Sequence, residues 1–167
     1  MDIPKALSNM CQICLLVKDI KKSMDCYASL GIGPFKVYAM DTRDMKGVTY
    51  RGKPADYSLE VAWVQVGSWT LELIQPMRGE NIYKEFMKKH GEGLHHTGVY
   101  LRTEEYNAAQ KFLESQGCPQ IMGGPIYGKD KTGRFDYFDT QDQYGTILEL
   151  LDMPKDLGEP DYIYPQR

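Results

Sequence analysis

Apolar and polar residues follow one order twice along the chain. In the first half, an apolar stretch at residues 10–18 precedes helical spacing over 20–30, and three more apolar stretches follow. The second half repeats this order between residues 94 and 153. Asp19 and Thr103 precede the two helical segments and are predicted N-caps. The pattern predicts two β-α-β-β-β units, each with short connections, such as a tight hairpin turn at Gly67-Ser68.

This internal repeat sets the predicted domain organisation. We expect a single domain of two modules, at residues 9–76 and 94–153. A linker with a short amphipathic helix, at 77–93, would join the modules. A proline-containing arm at 154–167 is expected on the surface, and the sequence leaves open whether it packs against a partner subunit.

Four polar side chains stand at matching places in the apolar strands of the two halves. Gln12 and His96 open corresponding first strands, while Glu72 and Glu149 lie in corresponding last strands. Burying such groups costs free energy unless they are paired. Because strand residues alternate between faces, all four side chains can point to one concave side. They are the predicted ligands of one shared divalent cation.

The donor set limits which metal is expected. One imidazole and three oxygen donors suit a borderline or hard cation in octahedral geometry, with about two positions left for water or substrate. Co, Mn, Ni, Fe and Zn all satisfy this description. Structural zinc is disfavoured because no donor is a thiolate, and an oxygenase-type triad is disfavoured because only one histidine, His96, is predicted to face inward.

Composition excludes several classes of function. The chain has 20 basic and 23 acidic residues, a formal net charge of −3, and no basic stripe, so nucleic acid is not an expected partner. No apolar run reaches the ~20 residues of a membrane span, and we expect a cytoplasmic protein. Cys11 and Cys14 form a C-x-x-C inside a strand, where they would point to opposite faces. We interpret the cysteines as small buried hydrophobic residues.

Three further predictions concern the surroundings of the four donors. His95 should point to the face opposite His96, where it packs or bonds the backbone, and Tyr100 should share the face of His96. One loop carries basic residues that could meet a phosphate-bearing substrate, although a solvated loop is the simpler explanation: Lys129, Lys131 and Arg134.

Four sequence runs resemble the vicinal oxygen chelate superfamily, most of all its methylmalonyl-CoA epimerase and glyoxalase I branches. They are QICLLVKDIKKSMDCYASLGIGPF, LELIQP, GLHHTGVYL and YGTILELLDMP, and the resemblance spans residues 9–153. It implies an α+β fold in which two βαβββ modules form a half-open, cup-shaped mixed sheet with helices outside. The ligand positions of the superfamily fall on Gln12, Glu72, His96 and Glu149.

The chain departs from both branches. Its ligand set resembles that of some glyoxalase I enzymes, but LELIQP lacks the asparagine that commonly follows the glutamate there. GIGPF and LELIQP look more like the epimerase branch, in which the first ligand is usually histidine rather than glutamine. The second catalytic carboxylate of the epimerases would fall near Asp56.

The resulting functional hypothesis is a divalent-metal-dependent enzyme that transfers a proton alpha to a carbonyl through a metal-stabilised enediolate. Glu149 is the predicted principal base, with Glu72 as ligand or second acid/base. Returning the proton to the same carbon gives a methylmalonyl-CoA epimerase-like activity; returning it to the neighbouring carbon gives a glyoxalase I-type lactoylglutathione lyase. The other alternative is a non-catalytic drug-binding protein of the bleomycin-resistance type. Expected partners are a small carbonyl substrate, such as a coenzyme A or glutathione thioester or adduct, and a second copy in a homodimer.

Overall fold

Two modules of similar element order make up the fold, which a computed structural model describes for residues 3–126 and 132–166. The first module and the helix before it contain α1 (Ile3–Leu7), β1 (Met10–Leu16), α2 (Ile20–Ser29), β2 (Phe35–Asp41), β3 (Thr49–Tyr50), β4 (Lys53–Pro54), β5 (Ser58–Val66) and β6 (Trp69–Arg78). The remaining elements are α3 (Ile82–His90), β7 (Gly93–Tyr100), α4 (Thr103–Ser115), β8 (Gln120–Ile126), β9 (Gly133–Phe138), α5 (Gln141–Tyr144), β10 (Ile147–Asp152) and β11 (Tyr162–Tyr164).

One open mixed sheet joins the modules at its centre. The strand order is β11-β2-β5-β6-β1-β7-β10-β9-β8-β3-β4 among the described residues. The first strands of the two modules, β1 and β7, pair antiparallel, and each has the last strand of its own module parallel on its other side. The predicted α+β class, with two βαβββ modules in an open mixed sheet, is confirmed.

Strand alternation separates the helix-covered face from the concave face as predicted. On the outer face, α2 packs with Leu73 and other apolar residues of the first module, and α4 packs with Val99 and Leu150 of the second. A third cluster, which includes Cys14, Ile74 and other residues of both modules, forms the inner face. Helices α2 and α4 therefore lie outside, whereas Ile82 and Tyr83 of α3 belong to the inner cluster beside the site.

The helix starts show one correct and one wrong prediction. The Asp19 side chain accepts a hydrogen bond from the Lys22 backbone nitrogen at 2.9 Å, so Asp19 is the N-cap of α2 as expected. Thr103 is instead the first residue of α4, whose N-cap is Arg102. The Glu105 carboxylate accepts from the Arg102 backbone N–H and thereby satisfies one of the free donors at this helix end.

The segment at 42–56, predicted as a loop, contains a short hairpin that crosses to the second module. Strand β3 pairs antiparallel with β8, with Thr49 opposite Gly123 and Tyr50 opposite Met122. Glycines make the approach possible, because a Cβ atom on Gly124 would lie 2.7 Å from the Cα of Val48. The hairpin adds a wall to the second half of the cup.

The C-terminal arm packs on its own chain. Strand β11 pairs antiparallel with the edge strand β2, and Tyr162 lies opposite Val37. The Tyr164 hydroxyl donates to the Asp25 carboxylate of α2. The arm thus covers an edge that would otherwise expose unpaired backbone groups. Within the described residues, no helix is long and apolar enough to cross a membrane.

Candidate metal centre

Strand register brings the four predicted ligands together at the centre of the sheet. Gln12 of β1 and Glu149 of β10 both lie beside Gly98 of β7. His96 of β7 and Glu72 of β6 both lie beside Cys14 of β1. The four donors therefore occupy two adjacent rows on the inner face, and each is at most 4% exposed.

Four side-chain atoms, one from each predicted ligand, form a closed ring. Gln12 Nε2 lies 2.9 Å from Glu149 Oε2 and 3.4 Å from Glu72 Oε2. His96 Nε2 lies 3.1 Å from Glu72 Oε2 and 3.2 Å from Glu149 Oε2. Ligands at neighbouring positions around a cation with bonds of about 2.1 Å are about 3.0 Å apart. The spacing of the ring fits a single divalent cation.

One polar atom of the ring lacks a hydrogen-bond partner, and one amide would have to turn to bind a cation. His96 Nε2 is buried, and neither of its carboxylate contacts has the geometry of a hydrogen bond. The amide of Gln12 presents its nitrogen to the carboxylates, while its oxygen accepts from the Tyr100 hydroxyl at 3.0 Å. A half-turn of the amide would present the oxygen instead, and Tyr100 would keep a partner because a hydroxyl both donates and accepts. The residues fit a metal.

The electrostatics of the ring also favour a bound cation. Burial raises the pKa of Glu149, partly offset by His96. For His96, burial alone would lower the pKa, but the carboxylates of Glu149 and Glu72 raise it to about 9. Two buried carboxylates with one imidazole thus attract positive charge, which either a proton or a metal cation supplies.

An aromatic donor supports each carboxylate, and sequence reasoning did not find either one. The Trp63 indole donates to Glu72 Oε1 at 2.6 Å. The Tyr137 hydroxyl bonds to Glu149 and accepts from the Tyr83 hydroxyl at 2.8 Å. Trp63 lies directly opposite Glu72, and Tyr137 directly opposite Glu149. Counting outward from the Gly67-Ser68 turn would have located Trp63, since hairpin register follows from the turn.

His95 faces the inner side, contrary to the prediction. One step on β1, from Cys14 to Leu15, matches two steps on β7, from His96 to Leu94, so His95 is the extra residue of a β-bulge. The bulge interrupts the alternation and lets both imidazoles contact Tyr137. His95 Nδ1 lies 2.8 Å from His96 Nδ1, and burial lowers the pKa of His95 well below its ordinary value.

Cys14 belongs to the surroundings of the site. Its sulfur and single donor atoms of Glu72 and His96 all lie within 4.8 Å of one another. Burial raises the pKa of the thiol well above its ordinary value, and the Glu72 carboxylate raises it further. Cys14 is buried, as the sequence predicted. Its proximity to the predicted ligands was not predicted.

A narrow apolar cleft opens over the ring. It encloses about 570 Å³ of empty space, its mouth included. Three of the four predicted ligands, Gln12, Glu72 and Glu149, lie at its floor. Its walls are aliphatic, aromatic and thioether side chains, among them Met40, Met45, Met153, Tyr57, Trp63 and Phe135.

Asp56 and Arg134, two further predicted site residues, lie away from the ring. Asp56 forms an ion pair with Arg78 and is a rim residue rather than part of the cleft lining. Arg134 stacks 3.7 Å from the Tyr106 ring and donates to Asn107 of α4, on the outer side. Lys129 and Lys131 lie outside the described residues.

Comparison with known proteins decides the family. A family model described as the glyoxalase/bleomycin resistance protein/dioxygenase superfamily matches residues 11–138. The chain belongs to this superfamily. None of the curated proteins compared with the chain matches it in sequence.

Several solved structures share the fold of this chain. Methylmalonyl-CoA epimerase from Mycobacterium tuberculosis is 18% identical with a TM-score of 0.63, covering 90% of this chain and 91% of its own. A Streptomyces coelicolor methylmalonyl-CoA epimerase (S115T) in complex with 2-nitronate-propionyl-CoA is 16% identical with a TM-score of 0.62, covering 88% and 95%. A hypothetical protein from Bacillus halodurans is 17% identical with a TM-score of 0.62, covering 88% and 95%. At these identities the likeness establishes the fold alone.

Proposed function

We propose that this superfamily member is a divalent-metal-dependent enzyme that moves a proton alpha to a carbonyl group. The observation that carries the proposal is the ring of four buried donors at the floor of a cleft. Gln12, Glu72, His96 and Glu149 would hold the cation. When bound, the cation would polarise the substrate carbonyl and stabilise negative charge on its oxygen.

The residues of the chain supply the remaining functions. Glu149 is the proposed base, because it lies at the cleft floor and burial raises its pKa toward the range useful for proton transfer. Tyr137 would orient it through their hydrogen bond. Trp63 fixes one oxygen of Glu72, which we assign as a ligand and as the second acid/base. The apolar walls exclude water from the transferred proton.

We favour an epimerase over a glyoxalase I-type lyase. Both return the proton after its removal, and they differ only in the carbon that receives it. The solved epimerases share the fold over most of both chains, which supports the first reading. A thioester substrate could leave its carrier chain outside the cleft, toward solvent.

Solvent-deuterium exchange tests the proposal. The protein, loaded with Co, Mn, Ni, Fe or Zn, is incubated in D2O with 2-substituted acyl thioesters, including methylmalonyl-CoA, and with the methylglyoxal–glutathione adduct. Mass spectrometry should show deuterium at the alpha carbon of at least one thioester, only with metal present. Turnover of the glutathione adduct alone would favour the lyase. Tight binding of a planar ligand without metal, and no exchange in any substrate, would favour the drug-binding alternative.

A further inference from the structure

We infer that the cleft binds a planar, uncharged group of the substrate, such as an aryl ring, next to the oxygens that reach the metal centre. The inference deepens the proposed function. It depends on that function for the substrate oxygens that would reach the metal centre. For the planar apolar group of the substrate, it depends only on the residues that line the cleft.

Three polar side chains of the cleft, Trp63, Tyr83 and Tyr137, already have partners. The Trp63 indole N–H donates to Glu72, and the Tyr83 hydroxyl donates to Tyr137, which in turn bonds Glu149. Among the described lining residues none is lysine, arginine or histidine. A second carboxylate or a phosphate inside the cleft would therefore be buried without a cationic partner from the described lining, which is costly.

Arginines on the segments that form this side of the cup are also committed to acidic partners. Arg78 pairs with Asp41 and Asp56. Arg51 pairs with Glu85 at 2.6 Å and Arg43 with Asp41 at 2.5 Å. The charge of each of these arginines is therefore already matched by an acidic partner.

The shape and chemistry of the walls suit a flat guest. Phe135 and Tyr57 present aromatic surface, while the thioethers of Met40, Met45 and Met153 line the same narrow space. Methionine side chains are flexible and polarizable, and they make favourable contacts with aromatic rings. They can move apart to admit a ring and then close on its faces.

Three 2-hydroxy acids with the same metal-binding head test the inference. Mandelate carries a phenyl group, lactate a methyl group, and malate a second carboxylate. Their dissociation constants are measured by calorimetry on metal-loaded protein, and metal content is checked afterwards. Mandelate should bind more tightly than either other acid by a factor on the order of ten or more, because only its substituent gains from apolar burial.

A lysine placed in the wall should change this preference. Met153→Lys, with Met45→Lys as a second variant if the first folds poorly, should weaken mandelate binding and strengthen malate binding. Met77→Lys is the matched control, since Met77 is 53% exposed and outside the cleft, and it should change neither affinity.

The outcomes separate the inference from the proposed function. Malate binding as tightly as mandelate, or no binding of any of the three acids, would overturn the inference. Mandelate binding that persists unchanged after metal removal, together with no deuterium exchange in any substrate, would uphold the apolar cleft and overturn the enzyme. Metal-dependent exchange combined with a preference for malate would leave the enzyme standing without the aryl-binding cleft.

Discussion

Each module contributes its first strand to the centre of the sheet, but the two strands carry different side chains at corresponding positions. The first module offers an amide, Gln12, where the second offers an imidazole, His96. Two residues further along the same strands stand Cys14 in the first module and Gly98 in the second, each beside two of the four donors. The repeat thus fixes where donors stand, while the individual residues decide what each donor can do.

The two glutamates also differ in their aromatic partners, which have different hydrogen-bonding abilities. An indole N–H can only donate, so Trp63 holds one oxygen of Glu72 as a hydrogen-bond acceptor. A phenol both donates and accepts, and Tyr137 links Glu149 to Tyr83. We therefore assign the proton-transfer role mainly to the second module and a more fixed ligand role to Glu72.

The largest expected effect is on the proposed base. Glu149→Gln should reduce alpha-proton exchange by a factor of about 10²–10⁴, the usual contribution of a general base. The exposed Glu104 of α4 supplies a matched control, and Glu104→Gln should exchange at the wild-type rate. Exchange by Glu149→Gln at the wild-type rate would show that Glu149 is not the base.

A methyl group at the glycine of the second module should disturb the metal ring. A Cβ atom on Gly98 would lie 2.9 Å from Gln12 Cβ and 3.3 Å from Gln12 Nε2, so Gly98→Ala must displace the amide. We expect metal affinity to fall about tenfold to a hundredfold, as when support for a ligand is lost. Cys14→Ala, the matched change in the first module, should alter the affinity little. Titration with Co²⁺ measures the metal affinity of both variants. A larger loss of affinity in Cys14→Ala than in Gly98→Ala would contradict the expected difference between the modules.

The two aromatic donors should have separable effects. Trp63→Phe should weaken metal binding about tenfold, because it releases one oxygen of a ligand. Tyr137→Phe should mainly slow deuterium exchange, because it releases the proposed base. Equal losses of affinity and exchange in both variants would show that the two partners play the same part.

The smallest expected effect is on the stability of the fold. It concerns the residues that precede Trp63 and Tyr137 in the two modules. Ala62 precedes Trp63, whereas the corresponding residue of the second module is Asp136, which accepts a hydrogen bond from Tyr106 at 2.6 Å. Burial raises the pKa of Asp136 to about 6. The folded state therefore holds this proton more tightly than the unfolded state, and the free energy of unfolding should fall by about 1–2 kcal/mol as pH rises from 4 to 6.

Denaturant unfolding at several pH values measures this slope. Asp136→Asn keeps an oxygen for Tyr106 but cannot ionise, so it should flatten the pH dependence between 4 and 6. An unchanged slope in the variant would show that other groups cause it.

Periodicity was enough to predict the centre of the molecule. The inner and outer sets of residues on β1, β6 and β10, and on β7 from His96 onward, follow from two-residue alternation, which therefore placed all four donors on the inner face. Asp19 could be predicted as a cap because its side chain acts on a backbone group three residues away. Such local rules need no knowledge of distant neighbours.

The errors lie where distant partners decide the structure. The bulge at His95 exists in the pairing between β7 and β1, and nothing in the run LHHTGVYL marks the extra residue. The β3 hairpin pairs across modules with Gly123, some 70 residues away in sequence order, so its segment reads as a loop. Tyr137 became a site residue through its register with Glu149, whereas Trp63 could have been located from the nearby Gly67-Ser68 turn.

Metal titration of the purified protein tests the central claim most directly. After chelator treatment and dialysis, calorimetry with Co²⁺ or Mn²⁺ should give one bound ion per chain, and the His96→Ala, Glu149→Ala double variant should bind none at that site. A folded wild-type protein that takes up no ion, or a double variant that binds as the wild type does, would contradict the account of a metal centre shared by the two modules.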